Sequence, residues 1–257
     1  MSKPAINILN SYFDHIYVIT LQRAKERHEK INQVLEGLNY SFFMGKDNKE
    51  FVVAELQNKG IYCADKAKKV HRYSKGMTPG MIGCSWSHKL VYEDILKKNY
   101  KKVLILEDDV FPVEEGLLKF DTIINELPQD WELLYFDYNK NDKETVIHPV
   151  KKLIYHVQKQ FGQLKWSHRH INNLFAKPYS KHLKIAGHHD YTDAYAITNS
   201  GAKKLLELQN PIAFWPDHLL AYACSNKIIK AFISVPKLFL QESQTNKSAV
   251  GSYAEEA

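Results

Sequence analysis

The chain has 257 residues, of which 44% are hydrophobic and 25% charged; this is enough apolar side chain for one sizeable core and excludes a purely repetitive or disordered protein. Thirty-five Lys and Arg against 29 Asp and Glu leave a net charge of +6, which is basic without being extreme. Three distant cysteines, Cys63, Cys84 and Cys224, exclude a disulfide scaffold and a zinc knuckle and fit a reducing compartment.

In chain order, His15 to Leu21 is a short run of β-branched and aromatic residues and predicts a buried strand. Ile31, Val34, Leu35 and Leu38 then recur at helical spacing, so an amphipathic helix is expected to end near Gly37–Asn39. Tyr40–Met44 predicts a second strand before the turn Gly45-Lys46-Asp47-Asn48. Residues 60–80 mix Lys, Gly, Pro and Tyr and read as an irregular connection. A helix is expected to start at Ser85 or Ser87, either of which can cap it, and to end at Lys97-Lys98-Asn99. Val103-Leu104-Ile105-Leu106 is the strongest buried-strand signal and runs into Glu107-Asp108-Asp109. Trp131–Phe136, Tyr191–Thr198 and Ile228–Val235 predict further strands; Gly201–Leu208 and Asp217–Cys224 predict helices. Strands alternating with helices favour an α/β sheet covered on both faces.

Segment 140–189 differs from the rest: ten Lys and Arg stand against two acids, with seven of the twelve histidines. A solvated, partly disordered surface is the expectation. Its functional form would be an acceptor-side loop attracted to an anionic glycolipid or membrane. His168-Arg169-His170 and His188-His189 lack the helical spacing of a strong metal motif. The tail after Ser243 is polar.

Ligands in open α/β sheets collect at the carboxyl ends of strands. In an extended backbone Glu107 and Asp109 share one side and Asp108 takes the other. Such hard oxygen donors suit Mg²⁺ or Mn²⁺. A solvated acidic turn is the plain alternative, and a Mg²⁺-dependent phosphatase or nucleotidyltransferase could use the same carboxylates. A nucleic-acid-binding domain could use the basic stretch, but leaves the acidic strand end unexplained.

Several segments together resemble glycosyltransferase family 25, whose members include bacterial lipooligosaccharide β-galactosyltransferases and collagen galactosyltransferases. They are Tyr17–Arg23 with Arg27, Gly83–Lys89, Val103–Val110, Trp131–Phe136, Tyr191–Thr198 and Gly201–Leu206. Pro216-Asp217, Pro236, Gln241 and Ser248 follow in family order. Thr20, Gln22 and Gly45-Lys46-Asp47 depart from the family pattern. The resemblance implies one transferase domain with a Rossmann-like GT-A fold, a mixed central sheet flanked by helices. Residues 14–110 would form the nucleotide-sugar half and 111–245 the acceptor half, with 246–257 as the tail. It implies a UDP-sugar donor, galactose in first place, a divalent ion (Mn²⁺ or Mg²⁺) and a saccharide or glycolipid acceptor in surface-polysaccharide synthesis.

On that reading Glu107 and Asp109 hold the metal, while Leu21, Arg23, Arg27, Ser87, His88 and Asp108 face the donor. Arg23, nearer the strand end, is better placed than Arg27 to meet the diphosphate, and Ser87-His88 would present a helix N-terminus to it. Inverting transfer needs a general base. Asp217 is the first candidate, with Asp193 and Asp190 behind it, although Asp217 reads equally as the N-cap of a helix from His218. Cys84 reads as a small buried filler. No membrane span and no secretory signal are visible, so the expectation is a cytoplasmic protein, peripheral at the inner membrane face, with no nucleic-acid partner.

Overall fold

The computed structural model describes residues 1–242. The tail expectation for residues 246–257, and Ser248 with it, lies outside the described residues. The chain runs α1 (Lys3–Tyr12), β1 (His15–Thr20), α2 (Lys25–Val34), β2 (Ser41–Met44), α3 (Val53–Asn58), α4 (Ala64–Val70), α5 (Pro79–Lys98) and β3 (Lys102–Glu107). Next come β4 (Val110–Pro112), α6 (Glu114–Leu117), α7 (Phe120–Glu126), β5 (Leu133–Tyr135), α8 (His148–Gln160), α9 (His168–Asn172), β6 (Lys177–Pro178) and β7 (Leu183–Ile185). It closes with β8 (Ala194–Thr198), α10 (Asn199–Leu208), α11 (Pro216–Ser225), β9 (Ala231–Ser234) and β10 (Phe239–Gln241).

Eight strands form one mixed sheet in the order β2-β1-β3-β8-β5-β9-β7-β6, and β4 pairs with β10 in a separate ribbon. The period-2 alternation of the strands divides the core. Tyr17, Ile19, Val103, Ile105, Leu133 and Tyr135 pack on one face, under α5, α10 and α11. Ile16, Val18, Leu104, Leu106, Leu134 and Phe136 pack on the other, against Leu9, Ile31 and Phe120 of α1, α2 and α7. Val103 to Leu106 are fully buried, which is why a continuous apolar run marks this strand. Burial of each such aliphatic side chain contributes about 1.5–3 kcal/mol.

β2, β1 and β3 are parallel. The chain leaves β1 for β2 on one side and returns to β3 on the other, so a crevice opens between the carboxyl ends of β1 and β3. β8, antiparallel to both β3 and β5, completes the mixed, Rossmann-like sheet.

Three expectations are corrected. Helix α5 begins at Pro79, not at Ser85 or Ser87: Thr78 caps it by accepting from the Met81 N–H at 3.2 Å, and Pro79 takes the first turn. Residues 60–80 contain α4, whose Ala67 packs with Leu56, Tyr62 and Ile82 in a satellite core. The basic segment is also largely ordered. Leu164, Trp166, Ile171, Leu174 and Phe175 build their own small core, and His170 and His189 are buried. No helix among the described residues is long and apolar enough to cross a membrane.

Candidate active site

The crevice between β1 and β3 is a cavity of about 600 Å³, counted with its open mouth. Strand β3 ends at Glu107, so Asp108 and Asp109 lie in the following turn and the strand alternation does not extend to them. All three carboxylates line the cavity, each toward different partners.

Glu107 accepts from the Thr192 hydroxyl at 2.6 Å and lies 3.4 Å from His88 Nε2. Burial would raise its carboxyl, but His88 and Thr192 hold it below the usual range. Asp108 accepts from Thr20 Oγ1 at 2.5 Å and from Arg27 Nη1 at 2.6 Å. Asp109 accepts from Gln241 Nε2 at 3.2 Å, with Arg27 at 3.6 Å. Its other oxygen, Oδ1, is buried without a hydrogen-bond partner. Burial, with the Glu107 charge adding to it, pushes Asp109 up to about 7.

That orphaned oxygen is where a cation fits. A buried acceptor left unmade costs about 1–3 kcal/mol, and a carboxylate oxygen facing a cavity supplies the hard donor that Mg²⁺ or Mn²⁺ takes. Among the described residues, two groups of three donors converge to within 4.8 Å: Cys84–His88–Glu107 and His188–Asp190–His218. The first suits a hard ion less well. Its sulfur is a soft donor, and burial, then Glu107 and Asp217, raise the Cys84 thiol well above its ordinary value.

The structure reorders the two arginines. Arg27 lines the cavity and bridges Asp108 and Asp109, with its side chain 13% exposed. Arg23, expected to be the better placed, pairs at 2.5 Å with Asp47 in the turn after β2 and is half-buried. Leu21 and His88 line the cavity. Ser87 does too, but from inside α5, where its hydroxyl donates to Gly83 O at 2.7 Å and accepts from the Lys46 N–H at 2.8 Å. Ser87-His88 is therefore no helix N-terminus, and the anion argument built on one does not apply. Cys84 is half-buried on the cavity wall rather than a core filler.

Lys46, Asn48 and Thr20 are lining residues the sequence reading missed. The turn at the carboxyl end of β2 was the available signal for Lys46 and Asn48. Gly83 allows this wall to form, since a Cβ there would meet Lys46 O at 2.5 Å.

The base candidates lie beyond this cavity. Asp193 is buried, and burial with the Glu107 and Asp137 charges raises its carboxyl well above the usual range. Asp217 is the second residue of α11; Trp215 precedes that helix, so Asp217 is not its N-cap. Its carboxyl is raised by burial, with His218 opposing and Asp190 reinforcing the rise. Asp190 is held low: burial is outweighed by hydrogen bonds from His188 and Lys140. His188, Asp190 and His218 line a second cavity of about 550 Å³ with Arg72, Lys140 and Trp166. Arg72 lies 4.3 Å from the Trp166 ring centre, and its buried Nε has no hydrogen-bond partner.

A parallel β-α-β crevice with carboxylates at the strand end, beside a second cavity lined by Asp190, is the ligand-binding arrangement of an open α/β domain. The comparisons give the family. Residues 13–220 match the profile of "Glycosyltransferase family 25 (LPS biosynthesis protein)", and the chain belongs to that family.

An Aedes aegypti "Glycosyltransferase 25 family member" is 27% identical over 75% of this chain and 28% of its own length. Human "Procollagen galactosyltransferase 2" is 28% identical over 48% of this chain and 20% of its own length. Human "Inactive glycosyltransferase 25 family member 3" is 22% identical over 77% and 29%. The chain thus spans less than a third of the length of these relatives.

Proposed function

We infer that this domain is a metal-dependent, inverting hexosyltransferase. It would move galactose from UDP-galactose to a saccharide or glycolipid acceptor in lipopolysaccharide-type synthesis at the inner face of a membrane. The single observation carrying this reading is the buried, partnerless Oδ1 of Asp109, a carboxylate that lines the β1–β3 crevice and whose other oxygen lies 3.6 Å from Arg27. Galactose is favoured by the name of the human procollagen relative, and a lipopolysaccharide acceptor by the printed family description.

Asp109, with Glu107 beside it, would hold Mn²⁺ or Mg²⁺; when bound, the ion stabilises charge on the departing diphosphate as a Lewis acid. Arg27 and Lys46 would meet the phosphates, and Leu21 and Asn48 would bound the nucleoside. For inversion the acceptor hydroxyl must lose its proton to a base on the second-cavity side. Asp217 is the first candidate for that task, since burial raises its carboxyl above the usual range. Burial, with the Glu107 and Asp137 charges, also raises Asp193, whereas hydrogen bonds from His188 and Lys140 outweigh burial and hold Asp190 low.

The test is thermal stability against a panel of UDP-sugars, with and without Mn²⁺, for wild type and Asp109→Ala. UDP-galactose should stabilise the wild type only when Mn²⁺ is present, and the variant not at all. A metal-independent shift, or one that survives in Asp109→Ala, would overturn the assignment.

A further inference from the structure

Helix α8 is turned the wrong way for a soluble domain. It is strongly amphipathic, yet no residue of it is buried. Its apolar side chains are the ones in water: Ile147 is 68% exposed, Val150 61%, Leu153 63%, Ile154 52%, Val157 48% and Phe161 75%. These positions recur at intervals of three and four, so they form one stripe along a single face. The opposite face carries Tyr155, which packs on Trp166 of the local core beneath, and His156, which stacks on His168. The polar face packs and the apolar face looks outward.

Exposed apolar residues scattered singly are ordinary, but a continuous stripe marks a surface that something covers. The charge around it names the cover. Lys143, Lys151, Lys165 and Arg169 are exposed on and around the helix, in a segment with ten cations and two acids. An apolar stripe flanked by lysines matches a bilayer interface with anionic headgroups, where side chains enter the acyl boundary and ammonium groups stay at the phosphates.

We propose that α8 docks the domain on an anionic lipid surface, with Ile147, Val150, Leu153, Ile154, Val157 and Phe161 entering the interface. Lys151 and Tyr155, on the packed side of α8, line the second cavity, so the docked helix would stand between that cavity and the lipid. Docking would thus hold the cavity with Arg72 and His218 one helix diameter, about 10 Å, from a lipid-borne acceptor. The link to catalysis rests on the transferase reading; the docking itself does not.

The test is co-sedimentation with phosphatidylcholine vesicles and with vesicles containing 30% phosphatidylglycerol (on the order of the anionic content used for such surfaces). Wild type is compared with a triple variant, Leu153→Gln, Ile154→Gln and Phe161→Gln. All three positions are exposed, so the fold is expected to persist, and circular dichroism checks it. The wild type should bind the anionic vesicles at least about tenfold more tightly than the neutral ones, and the triple variant should lose about tenfold or more.

Equal binding of both proteins, or no binding of wild type to anionic vesicles, would overturn the proposal. Lipid-free self-association that the triple variant abolishes would also overturn it, assigning the stripe to a second copy. The UDP and Mn²⁺ response, measured on the same samples, separates the two readings. Vesicle binding without that response leaves docking standing and the transferase reading fallen, and the reverse result does the opposite.

Discussion

Replacing Asp109 by Asn should stabilise the metal-free protein, and by an amount that depends on pH. The wild-type carboxyl is raised from 3.8 to about 7, chiefly by burial and then by the Glu107 charge. At about 1.4 kcal/mol per pH unit, a gap of about three pH units corresponds to a penalty on the order of 4 kcal/mol for ionising this group in the fold.

Because the folded value lies above the unfolded one, the folded chain binds the proton more tightly. The penalty is absent below about pH 4, grows as pH rises toward 7 and is constant beyond it. Asn keeps an oxygen for the Gln241 amide and never ionises. At pH 8 the variant should therefore melt on the order of 10 °C above wild type, and at pH 4 the two should coincide. Saturating Mn²⁺ with UDP should reverse the pH 8 order, because only the wild type gains the ion. A variant that is destabilised equally at both pH values would refute the reasoning, since Asp109 would then be an ordinary satisfied carboxylate.

Arg27→Met should destabilise by about 3 kcal/mol at pH 7, measured by urea denaturation, because it strips the 2.6 Å partner from buried Asp108; a loss below about 1 kcal/mol would contradict the pairing. Gly83→Ala should cost about 1–3 kcal/mol and weaken UDP binding, since its Cβ would push Lys46 O away from 2.5 Å; urea denaturation reads the first effect and calorimetric titration the second. His189 accepts from the Gly187 N–H and engages Lys140 O, so only the neutral ring suits its site, and burial lowers it from 6.5 to about 4. Its contribution is present above pH 6.5 and is lost as pH falls toward 4. The stability gap between wild type and His189→Gln should accordingly close by up to about 3 kcal/mol from pH 7 to pH 4.

The sheet was legible because its information is local. Four consecutive aliphatics at 103–106 are the strongest buried-strand signal in the chain, and the acids after them mark its open end. The start of α5 was misread although Thr78-Pro79 is a good cap signal, because Gly80 and Gly83 thin the apolar pattern and shift attention to the serines. Arg23 lies in the turn before α2 and Arg27 in the first turn of that helix, and what separates their roles is Asp47, supplied by the turn after a different strand.

The grouping of His188 and Asp190 with His218 joins segments about thirty residues apart and has no sequence period to reveal it. In segment 140–189 the count of lysines hid the aromatic and aliphatic residues that make its small core.

The central claim is that a divalent ion sits against Asp109 when the nucleotide is bound. The most direct test is anomalous diffraction at the manganese edge from crystals grown with UDP and Mn²⁺. The account predicts a single strong peak at bonding distance from Asp109, about 2.0–2.3 Å from a carboxylate oxygen, and no peak in Asp109→Asn crystals. Nucleotide in the β1–β3 crevice with no peak there, or a peak confined to Cys84–His88–Glu107 or His188–Asp190–His218, would contradict it.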